Sequence, residues 1–336
     1  MRAIAFEQPG PITAENALIE VDLPTPSPKG RDLLVEVRAV SVNPVDVKMR
    51  VRTKPEPGKP HVLGYDAAGV VKAVGDQASL FSVGDEVFYA GALDRPGTNA
   101  EFHLVDERIV GRKPRTLGFA EAAALPLTSI TAWEAMDDRL HVAREVPGAP
   151  RAILIVGGAG GVGSIAIQLA KLRGLAVIAT ASRPETQDWC RAMGADHIID
   201  HGQPLPAQVE ALGLGAPGFV FSTTHTDRHL VAIAELIAPQ GRFVLIDDPA
   251  TLDISPFKRK SVSVHWEFMF TRSMFQTADI DAQHRLLNQV SELVDAGRLR
   301  STMTSHAGRI DAANLKKVHA QVESASSIGK TVLEGF

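Results

Sequence analysis

The chain has a single cysteine, Cys190, among 336 residues. That excludes an intramolecular disulfide, and it excludes any structural zinc site built from several thiolates. Cys190 lies in Asp188-Trp-Cys-Arg-Ala-Met193, a segment patterned as a helix, so an inert, half-buried thiol in a reducing cytoplasm is expected. Excess charge of one sign is also missing: 35 basic residues against 39 acidic ones leave a net charge of −4. Nucleic acid and anionic membranes are therefore not expected partners, since Lys258-Arg-Lys260 is too short to form a basic footprint. No apolar run approaches the roughly 20 residues that span a bilayer. The opening Met1-Arg-Ala-Ile-Ala-Phe6 meets Glu7, Pro9 and Pro11 rather than the apolar core of a signal peptide. Internal repeats and low-complexity tails are absent as well.

What is present is an ordinary globular composition, 45% hydrophobic and 22% charged, in a chain long enough for two domains. At its centre stands Ile153-Leu-Ile-Val-Gly-Gly-Ala-Gly-Gly-Val-Gly-Ser164, continued by Ile165-Ala-Ile-Gln-Leu-Ala-Lys171. Ile153 to Val156 reads as a strand buried on both faces, as in a parallel sheet. Gly158, Gly160 and Gly163 follow at the G-x-G-x-x-G spacing, with Gly161 and Val162 opening a helix. The three glycines suit a tight turn, close approach to a pyrophosphate, and contact of helix with strand. Free amides at the helix start and the helix dipole favour that anion.

The first 125 residues or so are dense in proline, glycine and short β-rich runs, which implies a compact, barrel-like domain. Leu33 to Val40 is the clearest strand, with Leu33, Val35, Val37 and Ala39 on one face. Past Lys113-Pro114, a helix over Phe119 to Leu125 is expected to stop at Pro126, and Ser129 to Met136 begins another. From Ile153 onward strands and helices alternate through Ala176 to Thr180, His197 to Ile199, Phe219 to Phe221 and Arg242 to Ile246, the pattern of a doubly wound parallel sheet. Leu230 to Ala238 reads as helical, as do His284 to Ala296 and Ala312 to Glu323. Ser261 to His265 alternates and reads as an edge strand through which a homodimer can form.

The order of these segments carries a resemblance. Ser41-Val-Asn-Pro-Val-Asp46, Leu63-Gly-Tyr-Asp-Ala-Ala-Gly69, Val83-Gly-Asp-Glu-Val87, Leu125-Pro-Leu-Thr-Ser-Ile-Thr-Ala-Trp133, the glycine fingerprint, Ile246-Asp-Asp-Pro249 and Phe268-Met-Phe-Thr-Arg-Ser273 resemble the medium-chain dehydrogenase/reductase superfamily. The chain looks most like its quinone-oxidoreductase branch, in the zinc-type alcohol dehydrogenase-like group. The resemblance implies an α/β architecture: a GroES-like β-rich catalytic domain over residues 1–126 with 272–336, and a Rossmann doubly wound parallel sheet over 127–271. It places a nicotinamide cofactor in the cleft. Thr128 and Thr131 would lie beside the nicotinamide, with Asn43 near the hydride site, Asp247 and Asp248 at a strand end leading to the cofactor, and Lys330 reaching back toward it. Capping is the alternative task for the two threonines, and a solvated turn before Pro249 for the two aspartates.

Zinc-dependent members of that superfamily carry a cysteine near the position of Asn43 and Gly-His-Glu where this chain has Gly64-Tyr65-Asp66. Here those positions offer an amide and a phenol, so no catalytic metal is expected. His197 and His201 would be about 13 Å apart along a strand, too far to share a metal. His225 and His229 fall at a strand-to-helix turn.

NAD-selective folds end the second strand in an acid that binds the ribose 2′-hydroxyl. This chain has Thr180-Ala-Ser-Arg-Pro-Glu185 instead, so Arg183 and Ser182 are placed for the 2′-phosphate of NADPH. Ser182 with Glu185 also reads as a capping box. In related quinone oxidoreductases an aromatic residue after the third strand packs near that phosphate, and His201 occupies its place. Without a metal, hydride must go to a small apolar acceptor that delocalises charge, a quinone or an α,β-unsaturated carbonyl. Tyr65 or solvent would supply the proton, while Phe268 and Phe270 suit a planar apolar ligand. An alcohol dehydrogenase with atypical zinc ligands, or a non-catalytic NADPH-binding protein, are the readings that compete.

Overall fold

The computed structural model describes all 336 residues. In chain order the elements begin with strands β1 (Arg2–Phe6), β2 (Ile19–Asp22) and β3 (Asp32–Ser41), helix α1 (Pro44–Arg52), and strands β4 (His61–Val62), β5 (Ala67–Val74), β6 (Glu86–Tyr89), β7 (Phe102–Asp106) and β8 (Val110–Arg112). Helices α2 (Phe119–Ala123) and α3 (Pro126–Glu134) lead to β9 (Ala152–Val156), α4 (Gly161–Leu172), β10 (Ala176–Thr180), α5 (Pro184–Ala192), β11 (His197–Ile199) and α6 (Leu205–Ala211). Then come β12 (Phe219–Ser222), α7 (Thr226–Leu236), β13 (Arg242–Leu245), β14 (Ser263–Trp266), α8 (Thr271–Phe275), α9 (Ala282–Asp295), β15 (Met303–His306), α10 (Ala312–Glu323) and β16 (Lys330–Glu334). No helix is long and apolar enough to cross a membrane.

The chain forms two compact units, Met1–Ile130 with Phe270–Phe336, and Thr131–Met269. The first is built around β3, which pairs antiparallel with β5, β7 and β16 in a seven-stranded sheet. Leu33, Val35, Val37 and Ala39 are buried on one face, and on the other Arg38 faces water between the buried Leu34 and Val40, so only the middle of that face is open. A second sheet joins β2, β1 and β4. The C-terminal segment thus closes on the N-terminal sheet: Val332 pairs with Ser41 and Leu333 with Val40.

The second unit is one six-stranded sheet in the order β11-β10-β9-β12-β13-β14, every pair parallel. Numbered within the unit this is 3-2-1-4-5-6, the doubly wound Rossmann order. Central β9 is wholly buried, which explains its unbroken apolar run. The strand order reverses beside β9, between β10 and β12, so the crevice at its C-terminal end is where a nucleotide belongs.

Local expectations shift in four places. Pro126 opens α3 rather than ending its predecessor, α2 having stopped at Ala123, because proline costs nothing at a helix start. α3 ends at Glu134 and continues as a π turn over Ala135–Arg139. The last strand of the parallel sheet is Ser263–Trp266, since Ser261 takes φ of 52° and closes the preceding 3₁₀ turn. Cys190 is fully buried, not half-buried, and burial pushes its thiol up to about 12.

Candidate active site and cofactor-binding residues

In the second unit the glycine loop joins β9 to α4. Gly157 N donates to Thr180 Oγ1 (3.0 Å) and Gly158 N to Thr180 O (3.2 Å), so the end of β10 holds the loop. The turn itself rests on Gly157, with φ of 83°, one residue before the fingerprint's first glycine. A Cβ on Gly158 would meet Ala179 Cβ at 2.9 Å and Cys190 Sγ at 3.0 Å, so this glycine is required by packing below the loop. One on Gly163 would lie 2.2 Å from Gly157 O, which brings α4 against the strand. Gly160 has nothing nearer than 3.6 Å, leaving room for a group to approach its backbone. The first helical hydrogen bond of α4 is Ser164 N to Gly160 O. The amides of Gly161, Val162 and Gly163 precede it, so no carbonyl of the helix pairs with them and they can serve an anion. The residues present fit a dinucleotide.

β10 ends beside this loop. Ser182 is exposed, and α5 is capped at Arg183 rather than at Ser182: Arg183 N donates to Thr186 Oγ1 (3.1 Å), and Thr186 Oγ1 donates to Arg183 O (2.7 Å). The expected Ser182–Glu185 box does not form. Glu185 instead pairs with the Arg183 guanidinium at 3.1 Å. His201 lies two residues past β11, its ring edge-on to that of His229 in α7. Asp247 caps α7, accepting from Thr226 N (2.8 Å) and Thr226 Oγ1 (2.5 Å), while Asp248 next to it is exposed. Thr131 is buried and Phe268 is about half exposed.

In the first unit, strand register brings together residues remote in sequence. Because Val332 pairs with Ser41, antiparallel pairing sets Lys330 opposite Asn43, and Ser41 N donates to Asp66 O from the other neighbour. Lys330 Nζ donates to Val42 O (2.9 Å) and to Asn43 Oδ1, and lies 3.2 Å from Asp66 Oδ2. Asn43 Nδ2 donates to Asp66 Oδ2 (2.8 Å), and Leu127 N to Asp66 Oδ1 (2.8 Å). Lys330, Asn43 and Asp66 are all buried. Asn43 begins α1, yet its side chain turns to this network, and the helix is held by Asp46 Oδ2 accepting from Asn43 N (2.7 Å).

Electrostatics follows from burial. It pushes Asp46 up to about 7 and Asp66 to about 6, Lys330 and hydrogen bonds pulling the other way, and it lowers Lys330. Tyr65 is fully buried, and its phenol is raised by burial and then by the Asp46 charge. Tyr65 Oη has no hydrogen-bond partner. Its ring stands edge to face with Phe270, centroids 5.6 Å apart. Thr128 is buried, its hydroxyl donating to Leu125 O (3.1 Å) within α3's first turn.

In the sequence Asp46 has no role of its own, and Asp66 is marked only as a departure from Gly-His-Glu, Glu185 only as a capping partner and His229 only as one of a histidine pair. Asn43-Pro-Val-Asp46 has the spacing of a cap, the local signal that could have found Asp46. A catalytic zinc needs three donors of thiolate, imidazole or carboxylate type. Asn43 and Tyr65 offer none, Asp66 is spent on an ammonium, and no group of three or more His, Cys, Asp and Glu side chains is arranged to hold a metal. The donor set does not fit that ion.

Comparison with known proteins agrees with both halves. The family described as alcohol dehydrogenase GroES-like domain matches residues 29–133, and that described as zinc-binding dehydrogenase matches residues 161–283. A zinc-type alcohol dehydrogenase-like protein of Staphylococcus aureus (strain MSSA476) is 38% identical over 335 residues, 99% of each chain. The quinone oxidoreductase of Homo sapiens is 31% identical over 283 residues, 82% of this chain and 83% of that one. A crystal structure from Rhizobium etli CFN 42, assigned provisionally to the zinc-dependent alcohol dehydrogenases, is 65% identical, with a TM-score of 0.98 over 100% of this chain and 98% of that one.

Proposed function

The chain belongs to the medium-chain dehydrogenase/reductase superfamily, among its zinc-type alcohol dehydrogenase-like proteins, and is an oxidoreductase of that type; we propose that it is a zinc-independent, NADPH-dependent reductase of quinones or α,β-unsaturated carbonyls. The observation that carries the reading is the buried cluster at β3, β5 and β16. There Lys330, Asn43 and Asp66 satisfy one another, while the hydroxyls of Tyr65 and Ser41 have no partner, and of these two the phenol is the more acidic.

NADPH supplies a hydride when bound. Gly158, Gly160, Gly161, Val162 and Gly163 hold its pyrophosphate, while Arg183 and Ser182 take the 2′-phosphate that an acid at the end of β10 would repel. With no metal ligands in the cluster, nothing there polarises a simple ketone. The substrate must spread the incoming charge over a conjugated system, and the oxygen where that charge settles needs one proton donor. Tyr65 Oη keeps its proton at neutral pH because burial and Asp46 oppose the phenolate. It is the donor in this reading. Lys330 acts as a positioning residue through Asn43, its Nζ already committed to Val42 O, Asn43 Oδ1 and Asp66. Asp247 acts through Thr226. Phe268 and Phe270 face the planar substrate, with Thr128, Thr131 and Asp248 near the nicotinamide. β14 pairs on one side only, and its free edge is the proposed homodimer contact.

The test is NADPH and NADH oxidation with 1,4-benzoquinone and a 2-alkenal, on wild type and Arg183→Ala, with metal analysis of the same sample. Arg183→Ala should raise KM for NADPH by about tenfold or more, the worth of a charged hydrogen bond, and leave NADH within about twofold. Equal use of NADH by the wild type would defeat the cofactor assignment. Cofactor binding without turnover of either acceptor class would make the protein a non-catalytic binder. One zinc per chain with alcohol oxidation would restore the metal mechanism.

A further inference from the structure

Three imidazoles gather at the C-terminal ends of the parallel strands in the second unit. His201 follows β11, His225 immediately precedes α7, and His229 stands in that helix's first turns. The His201 and His229 rings meet edge to face at 6.3 Å although β10 and β9 separate their strands in the sheet. Packing of α6 beside α7 makes the meeting possible. His229 faces His201, His225 and Arg228, against Asp227 as the opposing charge. Burial first, and then these basic neighbours, hold the His229 imidazole below its usual range. The other acids close by are committed to backbone: Asp200 Oδ1 accepts from Gly202 N (2.8 Å), and Asp247 caps α7. His229, with a second imidazole in ring contact and an arginine and a helix N-terminus beside it, resists taking up a proton unless an anion sits with it.

Register ties this cluster to Arg183. Thr180 pairs with Ile199, and Ala181 N donates to Ile199 O (2.9 Å), so Arg183 and His201 leave adjacent strands within three residues of one paired couple. We infer that His201 and His229 form a second, proton-dependent contact for the 2′-phosphate of NADPH, so that preference for the phosphorylated cofactor rises as pH falls toward 6. The inference rests on the NADPH reading above. A phosphate arriving beside Arg183 supplies the missing anion, the His229 imidazole then favours its protonated form, and binding takes up a proton. A 2′-hydroxyl has no such effect. The phosphate's own titration has the opposite sign, because near pH 6 it gains a proton and loses charge.

Adenosine 2′,5′-bisphosphate and 5′-AMP differ only in that phosphate, so their binding to the full-length protein isolates it. Titration calorimetry at pH 6, 7 and 8 should show the bisphosphate tightening relative to 5′-AMP by about tenfold between pH 8 and pH 6, one pKa unit of coupling. Proton uptake should be seen by comparing two buffers. His201→Asn, at an exposed position, and His229→Asn should each flatten or reverse the trend and abolish the uptake. An unchanged pH profile in both variants, with the bisphosphate still preferred and that preference lost in Arg183→Ala, overturns this inference and spares the NADPH reading. Equal binding of the two nucleotides at every pH overturns both.

Discussion

A carboxyl pair in the second unit makes the sharpest stability prediction. Glu134 at the end of α3 and Glu267 just past β14 are both buried, and the Arg139 guanidinium binds Glu267 at 2.9 Å. The Glu134 carboxyl lies within hydrogen-bonding reach of Glu267, and Glu267 Oε1 meets no protein donor. Two acceptors in contact need a proton between them. Burial first, then the Glu134 charge, push Glu267 up to about 9 from 4.5, Arg139 opposing them. Between those values the folded state holds a proton that the unfolded chain has released, so this group's stabilisation is complete below 4.5 and is lost as pH rises through 9. The limiting slope is about 1.4 kcal/mol per pH unit. Glu267→Gln keeps the shape and supplies a permanent donor to Glu134. Its stability relative to wild type should therefore rise by about 2 kcal/mol from pH 6 to pH 8, below the limit because the pair shares its titration. All three tryptophans, Trp133, Trp189 and Trp266, lie in this unit, so urea unfolding followed by tryptophan fluorescence reads it selectively. A difference between variant and wild type that is the same at pH 6 and pH 8, with unchanged m-values, would refute the shared proton.

The first unit should show an acid limb of the opposite sign. Burial lowers His103 to about 4 and His319 to about 3, so each opposes folding as pH drops below 6.5, His319 by ~2 kcal/mol at pH 5. His319→Leu should flatten that limb in circular dichroism melts, and an unaltered limb would show that His319 is charged in the fold. Gly163→Ala forces a methyl against Gly157 O at 2.2 Å and should lose nucleotide binding and thermal stability together, whereas Gly160→Ala, with its nearest atom at 3.6 Å, should weaken binding alone. Equal melting temperatures for both variants would contradict this. Tyr65→Phe should cut kcat with a quinone by about 10² or more while leaving NADPH affinity unchanged, and wild-type turnover would assign the proton to solvent. Val264→Pro on β14 should convert a dimer to a monomer in sedimentation velocity, and a wild type already monomeric removes the proposed contact.

Short-range patterns were legible wherever the determining interactions span a few residues. The apolar run of β9 into Gly158 to Gly163 announces strand, turn and helix, and α10 runs over Ala312–Glu323 as its periodicity predicts. The missing acid after β10 and the lack of thiolate ligands are likewise readable without coordinates, because they concern which chemical groups exist. Caps were harder. Ser182 with Glu185 has the spacing of a capping box, yet Thr186 pairs with Arg183 one residue later, and arginine is no preferred cap that the spacing could announce.

The chain alone therefore determined the dinucleotide-binding class of the fold, the order of elements and the residue types that stand at Asn43 and Tyr65. Tertiary structure decided which ionisable groups meet. Lys330 meets Asn43 across 287 residues through strand register, His201 meets His229 across two intervening strands, and Glu134 meets Glu267 across the whole sequence of the parallel sheet. No periodicity encodes such meetings. They depend on which strands pair and on burial, and burial is what moves a carboxyl or an imidazole away from its ordinary titration range.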